Sequence, residues 1–162
     1  MILVTYNKDG REQLSICIQS ALYDTNSINA AAPATMAQLL QDWDAGMAIL
    51  KEEEAKILSG ERDEADCIAY ADAPVMAAVP HPTSCRDGYA FRQHVAAARR
   101  NRKVDMIPEF DQYPIFYFTN HNSIQGPGEI SVMPDHLKKL DFELEAAIVI
   151  CKNGRNIPAA EA

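Results

Sequence analysis

Two short runs within the first twenty residues show the alternating or apolar pattern of β-strands, and a polar stretch separates them. Residues 2–6 and 14–18 carry this pattern, and Asp9-Gly10 lies between them. An Asp-Gly pair between two such runs is typical of a tight hairpin turn. We therefore predict a β-hairpin, followed by a short third strand near residues 21–23.

The period changes at Thr35 to the three- and four-residue intervals of an amphipathic helix. The apolar residues at these intervals are Met36, Leu39, Leu40, Trp43 and Met47. Thr35 is a favoured N-cap type, Ser59-Gly60 is typical of a helix end, and Gly46 marks the expected break. We predict a helical segment over residues 35–58.

Residues 74–80 begin and end with proline, which favours an extended linker. We place a boundary here, between an N-terminal module of residues 1–73 and a second region of residues 74–162. In the second region we predict a helix over residues 89–102. Further predicted elements are strands at 114–118, 130–133 and 142–151 and a helix that begins at Ile157-Pro158. The pattern as a whole predicts an α+β fold, mainly β.

Composition narrows the range of functions. The chain has 162 residues, 48% of them hydrophobic, and a formal net charge of -8, so it can bury a core and repels nucleic-acid phosphates. Its four cysteines are scattered, which favours neither a zinc site nor a disulfide framework. No apolar run approaches the roughly 20 residues of a membrane helix, and the N-terminus turns polar too early for a signal peptide. We expect a cytoplasmic protein that binds neither nucleic acid nor membrane.

Two glutamates stand at the start of the most apolar segment. If this segment is a strand, Glu143 and Glu145 point to the same side, roughly 7 Å apart along it. Two carboxylates at a buried strand end repel each other, and a hard divalent cation would compensate. Alternatively, Phe142 and Leu144 face the core and both glutamates face water. This second interpretation is the one that the spacing alone favours.

Asp87 and His94 flank the start of the predicted second-region helix. Taken alone, Asp87 is most simply an N-cap, because it directly precedes the helix. His94 lies near the apolar face formed by Phe91, Val95 and Ala98, so taken alone it is most simply a partly buried core residue. Histidine is also a suitable general base at neutral pH. Neither residue indicates a reaction by itself.

Four short motifs together resemble the fumarylacetoacetate hydrolase family in order and spacing. They are Asp87, the Arg92-Gln93-His94 triplet, Ser123 followed by Gly126-Pro127-Gly128-Glu129, and Glu143-Leu144-Glu145. The resemblance covers about Ala77 to Ala162. It implies a small N-terminal module followed by the first half of the family's mixed β-roll, and a homodimer as the assembly.

The resemblance also implies a function and its residues. The enzyme would be a metal-dependent hydrolase that cleaves a carbon–carbon bond in a 1,3-dicarbonyl or acylpyruvate-type oxo acid. Asp87, Glu143 and Glu145 would bind a divalent cation, Mg²⁺ first, with Mn²⁺ or Ca²⁺ as alternatives, and His94 would activate water. Tyr89 would contact the substrate. Lys103 stands in place of a substrate-binding arginine, so it keeps the charge and loses the bidentate geometry.

Two alternatives stay open. Related sites in the same family catalyse decarboxylation, hydration or isomerisation of 2-oxo acids. The chain could instead be a non-catalytic fragment that needs a complementing half. The family's fourth metal carboxylate, its oxyanion-stabilising lysine and the acid that orients the histidine would all lie beyond Ala162. We therefore expect the activity to belong to a longer parent protein.

Overall fold

The computed structural model describes residues 1–62 and 67–162, which form two compact units. The first unit comprises residues 1–80 and 125–162, and the second comprises residues 81–124. The predicted α+β, mainly β class is confirmed, because helices accompany antiparallel sheets. Across both described ranges, no helix has the length and apolar character to cross a membrane. The predicted boundary near residue 74 stays a prediction.

A four-stranded antiparallel sheet organises the first unit, with its strands side by side in sequence order. The strands are β1 (Ile2–Lys8), β2 (Arg11–Ile18), β3 (Ala21–Asp24) and β4 (Cys67–Ala69). The hairpin and the third strand are confirmed, and Lys8 pairs with Arg11 across the turn. Asp9 and Gly10 have φ values of 52° and 82°. These left-handed conformations explain why the turn carries Asp-Gly.

The predicted helical segment forms helices that follow β3 along the chain. Among the described residues, the α-helices of this unit are α1 (Thr25–Ile28), α2 (Met36–Gln41) and α3 (Trp43–Leu58), and the last two form the predicted segment. Thr35 is the N-cap of α2, because its side chain accepts a hydrogen bond of 3.2 Å from the Gln38 backbone N–H. The predicted break at Gly46 is wrong. The break falls at Asp42, whose side chain caps α3, and Gly46 lies inside that helix.

The core of the first unit lies between the sheet and the helices. Leu14 and Ile16 of β2 are fully buried in this core, and Ser15 between them is buried on the opposite face of the strand. Leu39 of α2 and Leu50 of α3 are fully buried in the same cluster. Burial of each such side chain stabilises the unit by roughly 1.5–3 kcal/mol.

Residues 125–162 also belong to the first unit and are mostly irregular, with a 3-10 helix at His136–Lys139. Here the predictions of strands at 130–133 and 142–151 are wrong, and a turn replaces the predicted final helix. Phe142, Leu144 and Ile148 are 86%, 96% and 88% exposed. A strand needs neighbouring strands to satisfy its backbone hydrogen bonds. Within the described ranges, no strand pairs with this segment.

The second unit holds a two-stranded antiparallel sheet and a helix. They are β5 (Arg86–Gly88), β6 (Phe116–Phe118) and α4 (Arg92–Asn101), with 3-10 helices at Pro108–Asp111 and His121–Ser123. The helix predicted over residues 89–102 is confirmed with a later start. Val95 is buried, but Phe91 is 79% exposed, so the predicted shared apolar face is wrong at Phe91. Phe91 has extended backbone as the N-cap and lies outside the helical period.

Candidate functional site

Asp87 lies in the middle of β5, opposite Tyr117 of β6. Directly paired residues share one face of an antiparallel sheet. The Tyr117 hydroxyl accordingly donates a hydrogen bond of 2.7 Å to Asp87 Oδ2. The interpretation of Asp87 as a helix N-cap is wrong, because β5 ends before α4 begins and Phe91 is the residue at the cap position.

His94 lies in the first turn of α4, and its side chain is exposed. The interpretation of His94 as a core histidine is therefore wrong. The Tyr89 ring stands edge-on to the imidazole, with ring centroids 6.0 Å apart and an interplanar angle of 66°. Tyr89 is half-buried, and its N–H donates a 2.9 Å hydrogen bond to the Ile115 carbonyl, which extends the β5–β6 pairing. The structure thus brings these two candidate residues together.

A surface cavity of about 490 Å³ borders the same turn of the helix. Its lining residues are Ala90, Phe91, Arg92, Gln93, His94 and Ala97. An exposed imidazole at the edge of a cavity can accept a proton from a bound water or substrate, provided that the two come within hydrogen-bond reach. This arrangement suits a general base.

Lys103 follows the last turn of α4 in the second unit. Its backbone is left-handed, with φ of 57°, and its N–H donates a 3.0 Å hydrogen bond to the Arg100 carbonyl. The side chain is exposed. A cation here is favoured by the negative end of the helix dipole, so the position needs no ligand to explain its charge.

Glu143 and Glu145 belong to the irregular segment of the first unit and are both exposed. Their predicted placement on a buried strand is wrong. The alternative is also wrong, because Phe142 and Leu144 are exposed rather than packed in a core. Both interpretations assumed a strand with one buried face.

Two residues that sequence reasoning missed directly contact residues of the family motifs. Tyr117 reaches Asp87 as described; it lies in the strand predicted over residues 114–118, but no strand was predicted at residues 86–88 to pair with it. Asp111 forms a bidentate ion pair with Arg92, with Nε–Oδ1 at 2.8 Å and Nη2–Oδ2 at 3.0 Å. Hydrogen bonding and the charge of Arg92 lower the pKa of Asp111. Nothing local in the sequence links residues 92 and 111.

The predicted metal ligands have the chemistry that a hard cation requires. Asp87, Glu143 and Glu145 each offer carboxylate oxygens. Mg²⁺, Mn²⁺ and Ca²⁺ prefer oxygen donors, and carboxylates also neutralise their charge. The donor set therefore fits a divalent cation.

The second half of the chain matches a known protein family. Residues 83–162 match the family model described as fumarylacetoacetate (FAA) hydrolase C-terminal. Through these residues the chain belongs to the fumarylacetoacetate hydrolase family. Asp87, Tyr89, His94, Lys103 and the two glutamates all lie within the matched range.

Known relatives resemble the chain over different lengths. The mitochondrial oxaloacetate tautomerase Fahd2a of Rattus norvegicus is 25% identical over 167 residues, which cover 99% of this chain and 48% of the relative. An uncharacterized protein of Pyrococcus horikoshii is 31% identical over 82 residues, which cover 48% of this chain and 36% of the relative. The chain therefore spans about half, or less, of the length of these relatives.

Proposed function

We propose that the protein containing this chain is a metal-dependent hydrolase that cleaves a carbon–carbon bond in an acylpyruvate-type 1,3-dicarbonyl acid. One observation carries the proposal: the family match over residues 83–162 encloses Asp87, His94, Glu143 and Glu145. The acidic and basic side chains needed for metal binding and for proton transfer are thus present in one matched region.

In this proposal, Asp87, Glu143 and Glu145 hold the divalent cation through their carboxylate oxygens, and Mg²⁺ is the first candidate. The cation would supply Lewis acidity toward the substrate's oxygen atoms. Tyr117 keeps the Asp87 carboxylate oriented by its hydrogen bond of 2.7 Å. Residues that orient a metal ligand in this way contribute to metal affinity even though they do not bind the metal.

His94 acts as the general base. Its imidazole takes a proton from water, and the water oxygen forms a bond to the distal carbonyl carbon of the substrate. The bond between that carbon and the central carbon then breaks, and its electron pair leaves as an enolate. The enolate takes up a proton at carbon, which yields a carboxylic acid and a 2-oxo acid. The reaction consumes one water and needs no oxidant or reductant.

Tyr89 and Lys103 are the proposed substrate contacts. Tyr89 stands against the His94 ring, so a substrate beside the base also meets the tyrosine. Lys103 is exposed, and its ammonium group can bind a substrate carboxylate in more than one orientation. A homodimer and a cytoplasmic location are further parts of the proposal, carried over from the family resemblance and from composition.

A second candidate function is tautomerisation of a 2-oxo acid such as oxaloacetate. The rat relative, which aligns with nearly the whole of this chain, is an oxaloacetate tautomerase. In this reaction His94 would take a proton from the carbon next to the keto group, and the proton would return to oxygen. No carbon–carbon bond would break.

Product analysis separates these candidates. We would incubate the natural full-length protein and its His94→Ala variant with Mg²⁺ and acylpyruvate, fumarylacetoacetate or oxaloacetate, and follow the products by NMR. Hydrolysis gives two acids in equal amounts, and tautomerisation gives faster keto–enol exchange without new products. Absence of any His94-dependent conversion would contradict both candidates and favour the non-catalytic alternative.

A further inference from the structure

Helix α4 begins without the usual stabilising groups at its N-terminus. Phe91 occupies the N-cap position and provides no side-chain hydrogen bond, and the first turn contains no acidic residue. Its first residue is the cation Arg92. A positive charge is unfavourable at this end, where the helix dipole is itself positive. The first turn, which includes His94, therefore needs another means of support.

Asp111 supplies that support from the end of the 3-10 helix Pro108–Asp111. Its two carboxylate oxygens bind Nε and Nη2 of Arg92 at 2.8 Å and 3.0 Å. A bidentate arginine–carboxylate pair fixes distance and orientation together. It also places a negative charge near the start of α4. Both side chains are more than half exposed, so the pair contributes little to global stability.

The contacts on either side of His94 make its position sensitive to this pair. Arg92 lies two residues before His94 and is held by Asp111. Val95 directly follows His94, is 1% exposed and is anchored by packing. The imidazole itself meets the Tyr89 ring at 6.0 Å. If Arg92 is released from Asp111, the first turn of α4 is held only by the packing of Val95.

We propose that Asp111 is a positioning residue, which holds the first turn of α4 through Arg92 and thereby keeps the His94 ring against Tyr89. The catalytic consequence rests on the proposed function, but the placement of the ring does not. Asp111 makes no contact with substrate in this account. It acts through Arg92, and only the orientation of the base depends on it.

The first test uses NMR on the full 162-residue chain and needs no activity. The His94 ring resonances are assigned from a His94→Gln spectrum, and they carry the ring-current effect of Tyr89. Asp111→Asn is expected to shift and broaden these resonances. Glu109→Gln is the matched control, because Glu109 lies in the same 3-10 helix and is not paired with Arg92. Unchanged His94 resonances in Asp111→Asn, or equal changes in the control, would overturn the proposal.

A double variant with the two charges exchanged distinguishes loss of the ion pair from general misfolding. Arg92→Asp combined with Asp111→Arg restores an ion pair and places an acid at the start of the helix, which the dipole favours. Recovery of the wild-type His94 resonances in the swapped protein supports positioning by the pair. Failure to recover them in a double variant that circular dichroism shows to be folded would overturn it.

Kinetics of the natural full-length protein then test the catalytic consequence. Asp111→Asn should lower kcat roughly ten- to hundredfold with little change in KM, because a misplaced base costs rate rather than binding. Asp111→Glu should recover part of the rate. If the NMR changes occur and the wild-type protein has no activity on oxo acids, the positioning role stands and the proposed function fails. If activity exists and kcat is unchanged in Asp111→Asn, the catalytic consequence of the positioning is overturned.

Discussion

The Tyr117 hydroxyl donates a hydrogen bond of 2.7 Å to Asp87 Oδ2 across the β5–β6 pair. This contact fixes one oxygen of a carboxylate that we assign to metal binding. The strand pairing holds both backbones, so the orientation of Asp87 is set before any ion binds. Such preorganisation lowers the cost of assembling a metal site.

Replacement of Tyr117 by phenylalanine removes this hydrogen bond and retains the ring. We expect roughly tenfold weaker binding of Mg²⁺ or Mn²⁺, the lower end of the range for residues that orient a metal ligand. Calorimetric titration of the natural full-length protein measures it. Tyr113→Phe is the control, because Tyr113 is an exposed tyrosine of the same unit. Equal affinities in the two variants would remove Tyr117 from the account of the site.

Glu53 is a fully buried acid in α3 of the first unit. Its carboxylate accepts hydrogen bonds from Asn29 Nδ2 at 3.0 Å, Lys56 Nζ at 3.0 Å and Arg62 Nε at 2.9 Å. Glu53→Gln removes the charge that these donors share. We expect the free energy of unfolding to fall by about 2 kcal/mol, the scale of hydrogen bonds to a charged group.

Urea denaturation followed by circular dichroism measures this loss. Glu52→Gln is the matched control, because Glu52 also pairs with Lys56 and is 67% exposed. An exposed pair on a helix is worth no more than about 0.5 kcal/mol. The buried network would be ruled out as a source of stability if both variants lost the same amount.

The same carboxylate makes the first unit sensitive to acid. Burial raises the pKa of Glu53, but hydrogen bonds from Lys56, Asn29 and Arg62 outweigh burial and hold the pKa below its usual value of 4.5. The folded carboxylate therefore binds protons less tightly than the unfolded one. The contribution of Glu53 to stability is fully present above pH 4.5 and is lost as the pH falls through the pKa of the folded state.

The difference in unfolding free energy between wild type and Glu53→Gln should consequently shrink on acidification. Denaturation curves at several values from about pH 7 to about pH 3 measure it. A difference that stays constant below pH 4.5 would contradict the lowered pKa.

Gly126 opens the Gly-Pro-Gly motif of the family resemblance and lies against the backbone of the same unit. A Cβ on this glycine would approach Val75 O to 2.6 Å and Met76 Cα to 2.7 Å. Backbone atoms cannot yield as a side chain can, so Gly126→Ala should destabilise the unit by roughly 1–3 kcal/mol. Thermal unfolding measures the change. Gly88→Ala is the control, because its Cβ would meet nothing within 4 Å; a similar loss in both variants would argue against the close approach.

Local signals predicted the hairpin and the N-cap of α2 correctly. Asp9-Gly10 requires only its own backbone conformation, and Thr35 requires only a donor three residues away. The segment 142–151 was predicted wrongly because apolar residues indicate a strand only where other strands can pair with them.

The roles of the candidate site residues stay predictions, and the structure tests only the surroundings that were expected for them. The order of the motifs identified Asp87 and His94 as candidates. The interpretations made from each position alone, a helix N-cap for Asp87 and a core histidine for His94, were both wrong. The Arg92–Asp111 pair joins residues 19 apart through a turn of the chain, and no local pattern encodes it. Contacts of this kind become visible only when the backbone path is known.

The proposal that the protein is a metal-dependent enzyme rests on Asp87, His94, Glu143 and Glu145. Steady-state turnover of an acylpyruvate with Mg²⁺, by the natural full-length protein and its Glu143→Gln and His94→Ala variants, tests it most directly. Asp135→Asn serves as a control, since Asp135 is an exposed acid without a role in the site. We predict that both site variants lose at least about a hundredfold in kcat/KM and that the control retains wild-type turnover. Unchanged turnover in Glu143→Gln and His94→Ala would contradict the assignment.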